Sequence, residues 1–140
     1  MSTAIEARPL DGRIRSYRDL RVWQASVDIV VEVAMVVKQL PRREDFGLRG
    51  QMQRAAASIP ANIAEGHGRE HLGDYLRHLS IATGSLMELE THTYLAERLG
   101  FLSTEFAAPL LQRISDVSRM LAGLTKALRA KSSQPTSPPP

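Results

Sequence analysis

Apolar residues recur along the second half of the chain at alternating spacings of four and three positions. One series lies within residues 71–99 and comprises Tyr75, Leu79, Ala82, Leu86, Leu89, Thr93 and Ala96. The other lies within residues 103–130 and comprises Phe106, Leu110, Ile114, Val117, Leu121, Leu124 and Leu128. Because each helical residue is rotated by about 100° from the last, this spacing puts each series on one face. The pattern predicts two long helices, with Gly100 ending the first.

The first half of the chain predicts two more helices. Residues 18–40 are valine-rich, and their length without a turn signal favours a helix over a strand. Residues 46–65 carry a second apolar stripe of Leu48, Met52, Ala55, Ile59 and Ile63. Pro60 is expected to kink this helix, and Gly66 and Gly68 are expected to end it in the left-handed conformation.

Four long helices with short connections, without a strand or hairpin pattern, predict an all-α fold. The expected architecture is an antiparallel up-down-up-down four-helix bundle. Residues 1–16 lack periodicity and predict a flexible basic arm, and residues 17–131 form the bundle. Residues 132–140 are rich in serine and proline and predict a disordered tail.

A polar stripe follows the second helix at spacings of three and four, through Gln51, Arg54, Ser58, Asn62 and Glu65. Short serine and asparagine side chains are poor helix formers, and a solvent-facing stripe would favour lysine and glutamate instead. The stripe therefore predicts a partly buried polar seam.

Residues around this stripe resemble a known family. They are residues 46–48, Gln51, Arg54, residues 58–66, Arg69 and residues 81–90. They are similar to the four helix bundle protein family, which includes proteins encoded in intervening sequences of bacterial 23S rRNA genes. The family also includes the accessory protein of diversity-generating retroelements. The resemblance covers roughly residues 17–128 and implies an up-down-up-down bundle that assembles as a homopentamer. It also implies basic surfaces that bind nucleic acid and a reverse transcriptase.

The resemblance singles out a set of motif residues: Arg54, Ser58, Pro60, Asn62, Glu65, Gly66, Arg69, Gly84, Ser85 and Glu88. They could form a ligand site or a structural polar network. The structural interpretation is favoured, since buried polar groups demand partners and thereby fix the register of the helices.

Composition narrows the class of protein. Hydrophobic residues make up 43% and charged residues 24% of the chain, as in ordinary globular domains. The absence of cysteine excludes disulfides and thiolate metal sites. The N-terminus lacks the apolar core of a secretory signal, and no apolar stretch is long enough to span a bilayer. A cytoplasmic protein without a membrane role is expected.

The charge of +3 comes largely from arginine, with only three lysines. Mild basicity is compatible with nucleic-acid binding, while an arginine-rich coding bias would give the same composition. The candidate phosphate contacts are Arg13, Arg15, Arg18 and Arg21 in the arm, and Arg42, Arg43 and Arg49 between the first two helices. For the arm, a solvated tail is the favoured alternative.

Catalytic patterns are absent. No glutamate has a histidine three positions later, as di-iron bundles require, and no glycine-rich phosphate loop is present. His71, Asp74 and His78 share a helix face, but solvated side chains explain them better than a metal site. Glu88 and His92 are four apart and are expected to form a structural pair. The sequence predicts no enzyme, no cofactor and no metal.

Two helices have more apolar surface than one bundle interior can cover. Residues 27–37 are apolar around most of the helix, and residues 81–99 carry a second face with Ile81, Leu95 and Leu99. Gly84 and Ser85 are small enough to admit another helix. Large exposed apolar patches usually mark interfaces, so self-association is expected.

These observations predict a non-enzymatic oligomeric scaffold. It would bind RNA or DNA through its arginines and a protein partner such as a reverse transcriptase. The alternative is a protein-interaction module with no nucleic-acid role.

Overall fold

The computed structural model describes residues 13–44 and 47–132. Its four α-helices are α1 (Arg21–Val36), α2 (Leu48–His67), α3 (Leu72–Arg98) and α4 (Thr104–Ser132). Single 3-10 turns occur at Tyr17–Asp19, Val37–Gln39 and Arg42–Glu44. No strand occurs in the described ranges, so the predicted all-α class is confirmed there.

The helices pack in a cycle around one apolar core. α2 contacts α1 and α3, and α4 contacts α3 and α1. The predicted stripes supply the fully buried side chains, among them Ile29, Met52, Ile59, Ile63, Leu79, Leu86, Leu89, Leu110, Ile114 and Leu121. Phe106, which the four-three spacing assigns to the core, is instead 40% exposed. It lies in the first turn of α4, where Ala107 and Leu110 face inward in its place.

Helix boundaries differ from the predicted ones where backbone geometry decides them. α1 ends at Val36 and tightens into a 3-10 turn before Leu40, earlier than predicted. α2 continues through Pro60 to His67. α4 contains Pro109 and begins before it, at Thr104. None of the helices in the described ranges combines the length and apolarity that a membrane span requires.

The three glycines predicted to end helices, Gly66, Gly68 and Gly100, play three different roles. Gly100 has a φ of 79° and ends α3 in the left-handed region, as predicted. Gly68 is the C-cap of α2 and so ends it as predicted, but its φ of −78° lies in the right-handed region. Gly66 lies inside α2 and does not end it. The left-handed prediction was therefore wrong for both Gly66 and Gly68.

Gly66 is required for a close approach between α2 and α3. A Cβ atom at this position would lie 2.8 Å from Cβ of His78 and 2.9 Å from Cδ1 of Tyr75. It would also lie 3.2 Å from the Tyr75 carbonyl oxygen, which belongs to the backbone and cannot rotate away. Only glycine lets the two helices pack at this distance.

The segment before α1 is ordered locally by a capping box at the 3-10 turn Tyr17–Asp19. The Oδ2 atom of Asp19 accepts the backbone N–H groups of Arg15 and Ser16, at 2.8 and 3.1 Å. The Ser16 side chain accepts the N–H of Arg18 in return. Asp19 is itself buried, and these bonds satisfy its carboxylate. The predicted arm and tail otherwise lie outside the described residues, in 1–12 and 133–140.

An ion pair links the outer edges of α1 and α4. Glu32 Oε2 lies 2.7 Å from Arg113 Nε. The two charged atoms are close, but the Glu32 oxygen has no well-aligned hydrogen bond within the described residues. We therefore infer that this ion pair contributes little to the stability of the α1–α4 contact and that the apolar core contributes most of it.

Gly66→Ala is expected to destabilise the fold by about 1–3 kcal/mol, because overpacking at a tight contact forces the helices apart. Gly123→Ala is the matched control. It also replaces a helical glycine, but its Cβ would meet no atom within 4 Å. The control should be neutral or stabilise by up to about 1 kcal/mol. Denaturant unfolding at one fixed protein concentration measures both; equal effects would contradict the close-approach assignment.

Candidate functional site

A short polar seam joins α2 to α3 beside the core. Ser85 Oγ donates to Ser58 Oγ at 2.8 Å, which links the two helices. The Asn62 amide nitrogen donates to the Ser58 carbonyl oxygen at 2.9 Å and to Ser58 Oγ at 3.0 Å. Ser58 and Asn62 are half-buried, and Ser85 is buried. The predicted partly buried seam is confirmed for its central residues.

His78 completes the polar seam and was missed in the sequence. It is only 6% exposed, and its Nδ1 lies 3.0 Å from Asn62 Oδ1. Since the amide oxygen can only accept, Nδ1 carries the proton in this arrangement. Glu65 Oε2 lies 3.8 Å from the same nitrogen. The other ring nitrogen, Nε2, is buried without a hydrogen-bond partner in the described part of the chain.

A signal for His78 was present in the sequence. His78 and Ser85 are seven residues apart, which puts them on the same face of α3. The sequence interpretation grouped His78 with His71 and Asp74 as solvated side chains instead. The structure corrects this grouping, because His71 and Asp74 are exposed whereas His78 is buried against α2.

The ends of the predicted seam are open to solvent. Gln51, Arg54 and Glu65 are exposed, so the seam is shorter than predicted, and the motif residue Arg69 beyond it is exposed as well. Pro60 is half-buried, and Gly84 has open space where a Cβ would project. Glu88 is exposed and its Oε1 lies 3.4 Å from Nε2 of His92, a long contact that matches the expected pair.

The chemistry available at the seam is limited. His78 contacts Asn62 and Glu65 rather than Ser58, so no serine–histidine pair is formed that could activate the hydroxyl. Across the described ranges, no three His, Cys, Asp or Glu side chains converge in a way that could hold a metal ion. Burial raises the pKa of Tyr75, which packs edge-on against the His67 ring at the end of the seam. The arrangement fits a network that fixes the register of α2 against α3.

The candidate arginines fall into two separate groups. Arg13, Arg15, Arg18 and Arg21 are exposed and precede or begin α1. Arg42, Arg43 and Arg49 follow its C-terminal end. The 16 residues of α1 span roughly 24 Å. The structure therefore does not unite the two groups in one site.

Arg42, Arg43 and Arg49 form what we call the arginine corner. The guanidinium carbon of Arg43 lies 5.5 Å from the Phe101 ring centre, over its face. Arg42 is exposed, whereas Arg49 is half-buried. Glu44 lies among them, and its Oε2 accepts the N–H of Leu48 at 3.2 Å at the start of α2. This carboxylate offsets part of the positive charge at the corner.

Apolar side chains remain exposed on α1 and α3, as the sequence pattern predicts. On α1, Val31 is 61% and Met35 is 58% exposed, while Val30 packs against the core. On α3, the exposed apolar residues are Ile81, Met87, Tyr94, Leu95 and Leu99. We call these the α1 and α3 apolar faces.

Asn62→Leu is expected to destabilise the protein by about 1–3 kcal/mol, because buried His78 loses the partner of its Nδ1 proton. Gln53→Leu, an exposed change on the same helix, serves as the control and should stay within about 0.5 kcal/mol. Chemical denaturation of both variants provides the comparison. A neutral Asn62→Leu would show that the seam does not fix the fold and would favour a ligand-binding role for it.

Comparison with known proteins agrees with this geometry. A solved structure of a protein with unknown function from the S23 ribosomal protein family of Bacteroides thetaiotaomicron matches with a TM-score of 0.70. The two chains are 24% identical, and the match covers 75% of this chain and 98% of the other. No curated protein matches the chain. The family model described as 23S rRNA-intervening sequence protein matches residues 18–123, which is most of the chain. The chain therefore belongs to the 23S rRNA-intervening sequence protein family.

Proposed function

We propose that this protein is a non-enzymatic, self-associating four-helix bundle that binds RNA or DNA through exposed cations. The observation that carries the nucleic-acid proposal is the exposure of arginines at both ends of α1, with Arg43 presented over Phe101. Cations spread over a surface bind the phosphate backbone without reading sequence. The family's link to 23S rRNA-intervening sequences supports the same class of ligand.

The proposed bundle is antiparallel and up-down-up-down. Contacts between α2 and α3 support this direction: Ser58 pairs with Ser85, Asn62 with His78, and Gly66 packs against Tyr75. Residues with increasing numbers along α2 therefore contact residues with decreasing numbers along α3. The connections between successive helices are short, which also favours antiparallel neighbours.

Self-association is supported by the α1 and α3 apolar faces. The cyclic packing order makes α1 and α3 the diagonal pair, so their outer faces point away from each other. Two different faces on one subunit that meet each other form a heterologous contact, which closes into a ring when the rotation permits. The family resemblance adds the expectation of five subunits.

The remaining parts of the proposal concern chemistry and location. The polar seam is proposed as structural, since its hydrogen bonds are internal to α2 and α3 and form no nucleophile–base pair. We accordingly propose no catalytic role and no cofactor. We propose a cytoplasmic location, and a protein partner such as a reverse transcriptase follows from the family resemblance alone.

A protein-interaction module with no nucleic-acid role is the second candidate. The exposed apolar residues favour it, because α1 and α3 together expose seven large apolar side chains. If a partner protein rather than a second copy covers these faces, the arginines become solubilising charges. The two candidates make opposite predictions for binding to RNA.

Val31→Glu is expected to dissociate the assembly while the helices remain formed, because it puts a charge in the α1 apolar face. Sedimentation together with far-ultraviolet circular dichroism tests this. Gln53→Glu is the control, since it adds the same charge at an exposed site on α2. A single species of 15.5 kDa for the unmutated protein at micromolar concentration would contradict self-association.

Neutralising the arginine corner with Arg42→Gln and Arg43→Gln is expected to weaken RNA binding. Loss of two phosphate contacts makes the negative slope of log K against log salt shallower by about 1.4 for single-stranded RNA. Lys38→Gln with Arg77→Gln is the matched control, since it removes two exposed charges outside the candidate surfaces. Fluorescence anisotropy over a salt series gives the slopes. Equal slopes for the corner variant and the unmutated protein would remove the corner from the site.

A further inference from the structure

An open groove runs along the outer junction of α3 and α4. Its volume is about 370 Å³, and its lining consists of Thr83 from α3 with Ser118, Ala122, Thr125, Lys126 and Arg129 from α4. The α4 residues recur at spacings of four, three, one and three, which keeps them on one side of the helix. Three hydroxyls and two cations line it, without a carboxylate among these described residues. We call this the α3–α4 groove.

Two hydroxyls of the groove are not used by the fold. Thr83, Thr91 and Thr93 each donate their hydroxyl to the carbonyl oxygen four residues earlier, at 2.8–3.0 Å. This is the usual bond for such residues inside a helix. Ser118 and Thr125 are half-buried in α4 but have no side-chain hydrogen bond to any described residue. Both hydroxyls can therefore donate to a ligand.

Charge along the second half of α4 is entirely positive. Asp116 is the last acidic residue of the sequence, and its carboxylate is paired with Arg119. Residues 117–132 contain four cations: Arg119, Lys126, Arg129 and Lys131. Two of the three lysines of the chain lie here. Unlike the arginine corner, where Glu44 lies among the cations, the α3–α4 groove has no acidic group in its lining.

We propose that the α3–α4 groove binds the phosphodiester backbone of an RNA strand, an inference that rests on the proposed nucleic-acid function. Lys126 and Arg129 supply the cationic contacts, and Ser118 and Thr125 donate neutral hydrogen bonds to phosphate oxygens. These are the side-chain types that contact phosphates in nucleic-acid complexes. The proton of Thr83 is already donated to Leu79, so Thr83 forms a wall of the groove.

The dimensions of the groove favour a polymer over a free phosphate ion. Ser118 and Arg129 are eleven residues apart in α4, or roughly 16 Å along the helix axis. One phosphate group cannot reach donors over that length. A nucleic-acid strand carries one phosphate per nucleotide, spaced about 3.4 Å along the axis in duplex DNA, so a length of this order meets several phosphates.

Three double variants test this inference by fluorescence anisotropy with a single-stranded RNA oligonucleotide over a salt series. Lys126→Gln with Arg129→Gln should make the negative slope of log K against log salt shallower by about 1.4, since two phosphate contacts are lost. Ser118→Ala with Thr125→Val should weaken binding at every salt concentration without changing the slope, because neutral donors release no counterions. Lys38→Gln with Arg77→Gln removes the same charge elsewhere and should keep the slope.

The outcomes separate this inference from the proposed function. Binding by the unmutated protein with an unchanged slope in the groove variant would overturn the groove while leaving nucleic-acid binding intact. No binding by the unmutated protein at low salt would overturn the proposed function itself. Competition by inorganic phosphate beyond that of chloride at equal ionic strength would show a free-anion site and overturn the assignment to a backbone. Circular dichroism checks that each variant retains its helices.

Discussion

At Gly66 the backbone of α2 comes so close to α3 that an added methyl group would lie 2.8 Å from the His78 side chain. That contact and the polar seam beside it depend on each other. The close approach buries His78, and burial makes its bond to Asn62 necessary, since an unpaired buried polar group is costly. Ser58 and Ser85 then bond across the same interface. Together they hold α2 and α3 in a single register.

The fixed arrangement of α2 and α3 also determines which helix faces remain exposed to solvent. α1 and α4 complete the cycle by covering the remaining apolar sides, and each helix then has two neighbours. Four helices in such a cycle leave outward faces that the core cannot cover. On α1 and α3 those faces include Val31, Met35, Leu95 and Leu99, so the apolar surface is left where a further copy can reach it. The proposed assembly thus follows from packing geometry rather than from a dedicated interface element.

The candidate phosphate contacts are divided among three places instead of forming one site. The arginines before α1 and those of the arginine corner lie at opposite ends of that helix, and Lys126 and Arg129 lie on α4. A modest net charge of +3 can therefore still provide local surfaces that attract phosphates. Glu44 weakens the attraction at the arginine corner, whereas the α3–α4 groove lacks such an acid. The presence or absence of an acidic residue in the surface, more than net charge, distinguishes the arginine corner from the α3–α4 groove.

Periodicity alone determined the helices, most of the core and the outward apolar faces, because spacing of three and four specifies which side chains share a helix face. It also identified Ser58 and Asn62 as a seam, since short polar side chains in a helix need partners. Only the tertiary structure decided that His78 is buried and that Gly66 is a contact residue rather than a helix end. Phe106 shows the same limit, because its spacing fits the core but its place in the first turn of α4 leaves it exposed. Burial of a helix face depends on which helix packs against it and on the distance between the two helices. The spacing of residues within a single helix does not specify that distance.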